Sequence, residues 1–236
     1  MPLPSSIVIL TGSGISAESG LGTFRDTDGI WTKYPLEDLA TPEGFERNPD
    51  FVQRFYNSRR KQLKTAKAHS GHEALARLQT ACEAEGSDYL LVTQNVDNLH
   101  ERVGSTDVVH MHGELTSIRC MSCGATQFHT EDIEPDTVCK ACGMTGMMRP
   151  DVVWFGEIPL HMERIADALS RCTLFVAIGT SGAVYPAAGF VQEACYQGAH
   201  TVELNLEPSD VASAFDDAIY GPASKVVPDW VDKLIG

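Results

Sequence analysis

Ile7-Val8-Ile9-Leu10-Thr11-Gly12-Ser13-Gly14-Ile15-Ser16-Ala17-Glu18-Ser19-Gly20 runs from a β-branched apolar stretch straight into a glycine loop, and from there into small residues able to open a helix. An apolar run of this length ended by a glycine turn is the pattern of a strand buried on both faces of a parallel sheet. Glycines between such a strand and a helix let backbone N–H groups approach a pyrophosphate at the helix N-terminus. As a dinucleotide fingerprint the loop is irregular, because Gly20 falls six residues after Gly14 where the usual spacing is about three. A plain tight turn would account for the glycines alone. It would leave unexplained Thr23-Phe24-Arg25, placed to return an aromatic ring and a cation to the same pocket.

Outward from this loop, Tyr89–Thr93 (YLLVT), Leu174–Ile178 (LFVAI) and Thr201–Leu204 (TVEL) read as further strands, each followed by polar or glycine-rich residues. Helical stretches lie between them. Ser70-Gly71-His72-Glu73 has the form of a capping box, and His161–Arg171 and Ala187–Tyr196 carry helical patterns. Strands alternating with helices predict an α/β fold, a doubly wound parallel sheet whose ligands sit beyond the carboxyl ends of the strands. Two stretches break the alternation: Arg25 to about Lys67, with Pro35, Pro42, Pro49 and a charged helix FVQRFYNSRRKQL, and Thr116 to Met148, rich in Cys, Gly and Thr. Together they predict a second, smaller domain built from two insertions.

Composition narrows the function classes. At 236 residues, 43% hydrophobic and 21% charged, the chain is neither disordered, collagenous nor a coiled coil. Thirty-two acidic against 18 basic side chains leave a formal charge of -14, which repels a phosphate backbone and suits a lysine-rich polypeptide. Nucleic acid is therefore excluded as the expected partner. The N-terminal residues lack a basic n-region, and every apolar run is interrupted well short of the ~20 residues a membrane helix needs, so a cytoplasmic protein with no membrane partner is expected. There, seven cysteines are thiols or metal ligands and not disulfides.

Cys120-x2-Cys123-x15-Cys139-x2-Cys142 sets two thiolate pairs on two knuckles, with Gly124 and Gly143 just after the second cysteine of each. That spacing suits one tetrahedral zinc ion per chain, and four sulfur ligands leave no position open for water, so the expected role is structural. The alternative, four incidental thiols, does not explain the paired spacing. Thr93-Gln94-Asn95-Val96-Asp97-Asn98-Leu99-His100 puts three amides and a carboxylate beyond a strand, to be satisfied by a ligand, by one another, or by capping the next helix. His110-Met111-His112-Gly113-Glu114 offers two imidazoles beside a glycine. Gly179-Thr180-Ser181 and Asn205-Leu206-Glu207 are again polar residues at strand ends, where a carboxylate commonly holds ribose hydroxyls.

GSGISAESG followed by FR, then TQNVDNLH, HG, the paired cysteines, GTS and NLE stand in the order and spacing of the sirtuins, the NAD-dependent protein lysine deacylases, which this chain resembles over essentially its whole length. Ser13 is a departure, standing where many members have alanine. The resemblance implies that NAD is consumed as a cosubstrate: the acyl oxygen attacks the nicotinamide-bearing ribose carbon, nicotinamide leaves and an alkylimidate forms. His112 then acts as general base for the ribose hydroxyl that attacks it, giving acyl-ADP-ribose and free lysine. A neutral imidazole near pH 7 suits that role. The resemblance likewise implies an NAD site of Gly12, Ser13, Gly14, Ile15, Ser16, Ala17, Phe24, Arg25, Trp31, Gln94, Asn95, Val96, Asp97, Gly179, Thr180, Ser181, Asn205, Leu206, Glu207 and Ala223. Asn95 and Asp97 would hold the nicotinamide carboxamide, and Asn205 with Glu207 the adenosine end. Val153, Trp154, Phe155 and Gly156 resemble the substrate segment, along which an extended peptide would add as a strand.

Tyr56 and Arg59, three apart on the charged helix, share a face. Bacterial-type members with Tyr-x-x-Arg here are similar to desuccinylases, in which the pair holds the acyl carboxylate. A guanidinium fork in an apolar tunnel matches a carboxylate bidentately, and a phenol adds one donor. A basic helix face over a packed aromatic is the plainer reading. The expected layout is a Rossmann-like domain from 1–24, 68–115 and 150–236 and a small domain from 25–67 and 116–149, with the zinc ribbon and an acyl-lysine-contacting helix. Rival functions are a dehydrogenase, a protein ADP-ribosyltransferase and a non-catalytic zinc-ribbon binding module.

Overall fold

The computed structural model describes residues 2–22 and 35–236; Phe24, Arg25 and Trp31 lie outside them. The strands in chain order are β1 (Ser6–Thr11), β2 (Asp88–Thr93), β3 (Val109–His110), β4 (Gly113–Cys120), β5 (Thr126–Phe128), β6 (Met148–Val152), β7 (Leu174–Ile178), β8 (His200–Asn205) and β9 (Asp217–Tyr220). A six-stranded sheet has the order β3-β2-β1-β7-β8-β9, with every pairing parallel. The chain winds one way from β1 through β2 to β3, then returns to the other side of β1 as β7. The strand order therefore reverses at the β1/β7 boundary, where a crevice opens beyond the strand ends.

Alternate residues explain why β1 is apolar without a break. Ile7 and Ile9 face one core with Leu75, Leu78, Val227 and Val231, contributed by the Ser70–Glu85 and Ala223–Ile235 helices. Val8 and Leu10 face the other, with Ile165, Leu169, Phe190 and Val191 from the Met162–Leu169 and Phe190–Tyr196 helices. Both faces of the strand are dry, so truncating Ile9 to Ala should cost about 2–5 kcal/mol. The helix expected to begin with a Ser70 cap is instead capped one residue earlier: His69 Nδ1 accepts the Gly71 N–H at 3.0 Å, and His72 Nδ1 accepts the His69 N–H at 3.4 Å. Imidazole nitrogens replace the hydroxyl and carboxylate, and Glu73 takes no part in the box.

The second sheet is antiparallel, ordered β5-β4-β6. Beside it lies the Pro49–Thr65 helix, started by Pro49 and by Asn48, whose Oδ1 accepts the Phe51 N–H at 3.1 Å. Its inner face, Val52, Phe55, Tyr56 and Leu63, packs with Leu39, Phe45, Leu115 and Trp154. Arg60 is structural, donating to the Leu115 carbonyl and Asn57 Oδ1 at 2.8 and 2.7 Å, and burial pushes its guanidinium down to about 10. No described helix is long and apolar enough to cross a membrane.

Candidate active site and zinc centre

Where β1 meets β7, two loops touch backbone to backbone. Gly12 N–H donates to the Ile178 carbonyl at 3.0 Å and Gly14 N–H to the Gly179 carbonyl at 2.8 Å. A Cβ at Gly12 would lie 2.8 Å from that Gly179 oxygen, and one at Gly14 2.7 Å from the Gly179 Cα. The amides of Gly12 and Gly14 are thus already engaged by the neighbouring loop. The small size of both glycines is needed for loop-to-loop contact, and the crevice forms beside that contact. Ile15 is fully buried in the core and is not among the residues that line the crevice, and its carbonyl is 2.7 Å from His69 Nε2.

The crevice is a cleft of about 660 Å³, within the ~300–1,000 Å³ typical of small-molecule sites. Of the NAD-site residues expected from the sequence, every described one except Ile15 lines it. Tyr56, Arg59 and Val153 to Gly156 line the same cleft. Residues that the sequence did not flag also contribute, among them Leu21, Ala40, Pro159 and Val184. They carry no polar signature, so only their place in space shows them.

At the end of β2 the polar residues satisfy one another in part. Asn95 Nδ2 donates to the Gly12 carbonyl and to Ser16 Oγ, both at 3.1 Å, and Ser16 Oγ donates to Asp97 Oδ2 at 2.9 Å. Asp97 Oδ1 accepts the Leu99 N–H at 3.1 Å. Asn95 Oδ1 has no donor among the described residues, and a carboxylate has room for more than these two bonds. Burial raises the Asp97 pKa, against the pull of Leu99, Ser16 and His110. Gln94 Nε2 donates to Thr180 Oγ1 at 3.1 Å and Asn205 Nδ2 to the Thr180 carbonyl at 2.8 Å, tying the ends of β2, β7 and β8 together.

The two histidines of HMHGE differ sharply. His112 Nδ1 faces the Gln94 carbonyl at 3.1 Å and so carries the proton of the neutral ring. Nε2, with no partner among the described residues, is the lone-pair nitrogen of a side chain lining the cleft. Burial lowers the His112 pKa, against the Gln94 carbonyl, so the ring is neutral at pH 7. His110 lies outside the cleft with both nitrogens on acceptors: Nδ1 is 3.2 Å from the Asn95 carbonyl, and Nε2 is 2.6 Å from Glu101 and 3.3 Å from Glu114. Burial opposes a charge there, but the two carboxylates outweigh it and the pKa rises. Only His112 has a basic nitrogen to offer. Gly113 beside it has φ +76°, and a Cβ would lie 2.0 Å from the Asp151 carbonyl oxygen, so no other residue lets β4 close on β6 here.

Cys120 and Cys142 Sγ are 3.8 Å apart and Cys123 and Cys139 Sγ 3.7 Å apart, and all four sulfurs lie within 4.8 Å of one another. A tetrahedral ion with ~2.3 Å bonds to sulfur spaces its ligands about 3.8 Å apart, so the set fits zinc. Each knuckle closes identically: Gly124 and Gly143, both at φ +74°, donate N–H to the Cys120 and Cys139 carbonyls at 2.8 Å. None of the four cysteines lines the cleft.

Residues 12–186 match the sequence model of the Sir2 family. The chain belongs to the Sir2 family. It is 57% identical to the NAD-dependent protein deacylase of Caulobacter vibrioides, over 97% of this chain and 96% of that protein. With the NAD-dependent protein deacylase of Escherichia coli strain K12 it shares 56% identity, over 97% of this chain and 82% of that protein. Among solved structures, a Sir2 homologue in complex with NAD superposes with a TM-score of 0.88 at 35% identity, covering 98% of this chain and 90% of that one. The parallel sheet with its small antiparallel insert is thus the fold of this Sir2 structure.

Proposed function

We propose that the chain is an NAD-dependent protein lysine deacylase that accepts succinyl as well as acetyl groups and releases nicotinamide, acyl-ADP-ribose and free lysine. The observation that carries this reading is His112: a neutral imidazole whose Nδ1 proton is donated to the Gln94 carbonyl and whose basic Nε2 belongs to a side chain in the cleft that Gly12, Asn95, Asp97 and Thr180 also line. When bound, NAD supplies the ribose carbon that captures the acyl oxygen as nicotinamide departs. Asn95 through its undonated Oδ1 and Asp97 through its carboxylate are the partners for the carboxamide. Ser16 and Thr180 serve the ribose and phosphate oxygens, with Ser181, and Asn205 with Glu207 serves the adenosine end. His112 takes the ribose hydroxyl proton at Nε2, and Gln94 orients its ring. The four-cysteine cluster holds zinc that shapes the insert without touching substrate.

Tyr56 and Arg59 stand in the same cleft, a phenol and a guanidinium in largely apolar surroundings. Burial lowers the Arg59 pKa, against Asp97 and Tyr56, and its guanidinium fork matches an acyl carboxylate. Val153 N–H is taken by the His112 carbonyl at 2.9 Å and Phe155 N–H by the Ala40 carbonyl at 2.8 Å, which holds the 153–156 segment beside the cleft for an extended peptide. The test is mass spectrometry of one lysine peptide, acetylated or succinylated, incubated with the protein and NAD. Equimolar nicotinamide, acyl-ADP-ribose and free peptide are expected. ADP-ribose attached to protein, or reduced NAD, would overturn the reading in favour of a transferase or a dehydrogenase.

A further inference from the structure

Trp154 Nε1 lies 2.9 Å from Tyr56 Oη, across 98 residues of sequence. An indole N–H can only donate, so the phenol oxygen must be the acceptor in this bond. Tyr56 is buried, and among the described residues its hydroxyl proton meets no acceptor. Burial pushes the phenol up to about 12, so that proton is present throughout the neutral range. The indole thus occupies an oxygen lone pair and leaves the O–H free to donate into the cleft that Tyr56 lines together with Arg59.

The indole itself is clamped. Arg149 Cζ sits 3.5 Å from the indole ring centroid, and Phe45 packs on it at 5.2 Å between centroids. Arg149 is held as a fork, with Nη1 and Nη2 donating to the two Glu157 oxygens at 2.7 and 3.0 Å and Nη2 also donating to the Val152 carbonyl at 2.8 Å. Glu157 Oε2 accepts the Trp154 backbone N–H at 2.8 Å, which closes the loop of contacts on the same residue. Arg149 and Trp154 are both buried. A ring fixed on its faces and at its backbone presents its one donor in one direction.

We infer that Trp154 is a positioning residue for recognition of charged acyl groups: by donating to Tyr56 Oη it turns the phenol proton toward the acyl carboxylate that Arg59 binds. The inference rests on the desuccinylase reading above. An acetyl group has no carboxylate, so it does not use the phenol proton. Removing the indole N–H lowers the ratio of succinyl to acetyl kcat/KM, beyond whatever loss the two substrates share.

The experiment measures that ratio in wild type, Trp154→Phe, Tyr56→Phe, the Trp154→Phe/Tyr56→Phe double variant and Arg59→Met, together with a protein in which Trp154 is replaced by 3-benzothienylalanine, which keeps the outline of indole and lacks the N–H. The last protein keeps the test alive if Trp154→Phe fails to fold. The expected result is a fall of about three- to tenfold in the ratio for either Trp154 replacement, as for loss of one hydrogen bond, with no further fall when Tyr56 is already Phe. A ratio unchanged by either Trp154 replacement while Tyr56→Phe and Arg59→Met lower it overturns the inference and leaves the desuccinylase reading standing. A ratio unchanged in all of them overturns both. A fall that adds fully to that of Tyr56→Phe means Trp154 acts by another route, and the inference is wrong.

Discussion

His112 and Arg59 divide the chemistry between them, and each can be tested as a single side chain. His112→Ala should lower kcat/KM by at least ~10² for both acyl groups without loss of fold, since general-base assistance is typically worth ~10²–10⁴. His110→Gln should be far milder, because both His110 nitrogens already face acceptors and neither can take a substrate proton. Burial depresses the His112 pKa, so the acid limb of the pH profile of kcat/KM should lie below the ordinary histidine value of ~6.5; a limb above that value would mean another group titrates. Arg59→Met keeps length and removes charge. It should reduce kcat/KM for succinyl peptides more than for acetyl peptides by a differential of roughly 2–4 kcal/mol, because an unpaired carboxylate in a largely apolar cleft is costly. Equal losses would make Arg59 a support of its helix and the enzyme a deacetylase.

At the scale of elements, the ribbon depends on its metal. The cluster around Cys120 and Cys139 contains little else, chiefly Ile118, Ile133 and Met148, too small a core to order the knuckles unaided. Elemental analysis of freshly purified, reduced protein should find one zinc per chain. Chelation should unfold the insert, where bound zinc contributes on the order of 10 kcal/mol, and protein without zinc would refute the assignment. The β4/β6 junction offers a second test. With φ +76° and a neighbouring carbonyl at 2.0 Å from a built Cβ, Gly113→Ala should lower Tm and displace His112, so stability and turnover should fall together in unfolding and kinetic measurements.

Across the whole molecule, imidazoles buried without charge set the response to acid. His72 and His100 are buried behind the glycine loop with their rings tilted to one another at 5.0 Å, the half-buried His69 lies edge-on to His72 at 4.5 Å, and His100 Nε2 meets Thr11 Oγ1 at 3.2 Å. Burial pushes His72 down to about 3 and His100 well below its ordinary value. A folded pKa below the unfolded ~6.5 means that the unfolded chain binds more protons in this window. Stability is therefore full above pH ~6.5 and falls as the pH drops toward about 3, by up to ~1.4 kcal/mol per pH unit for each such group. His110 has the opposite sign: its raised pKa stabilises below ~6.5 and the gain is lost as pH rises through the folded value. Urea midpoints should drop between pH 7 and pH 5, and His72→Gln should flatten that slope. Midpoints that do not change would show that these rings are not buried neutral.

Much of this was legible in the sequence, for physical reasons. Strands buried on both faces are rich in apolar residues, so β1, β7 and the buried parts of β2 and β8 were visible, although β8 also buries Glu203, and zinc held by four thiolates calls for paired cysteines on tight knuckles, so Cys120 to Cys142 stood out. β9 was not visible, because as an edge strand all four of its residues are exposed and it needs no apolar run. The polar loops at the strand ends could be read as cleft residues because a parallel sheet brings its carboxyl ends together whatever lies between. What only the tertiary structure decided are matters of which groups meet. That Ile15 turns inward, that Gly12 and Gly14 are small for the sake of Gly179, that His112 keeps a free nitrogen while His110 does not, and that Trp154 donates to Tyr56 are contacts between segments far apart in the chain. Spacing carries no information about such meetings, because a hydrogen bond or a clash depends on distances of a few ångströms that only the packed fold brings about.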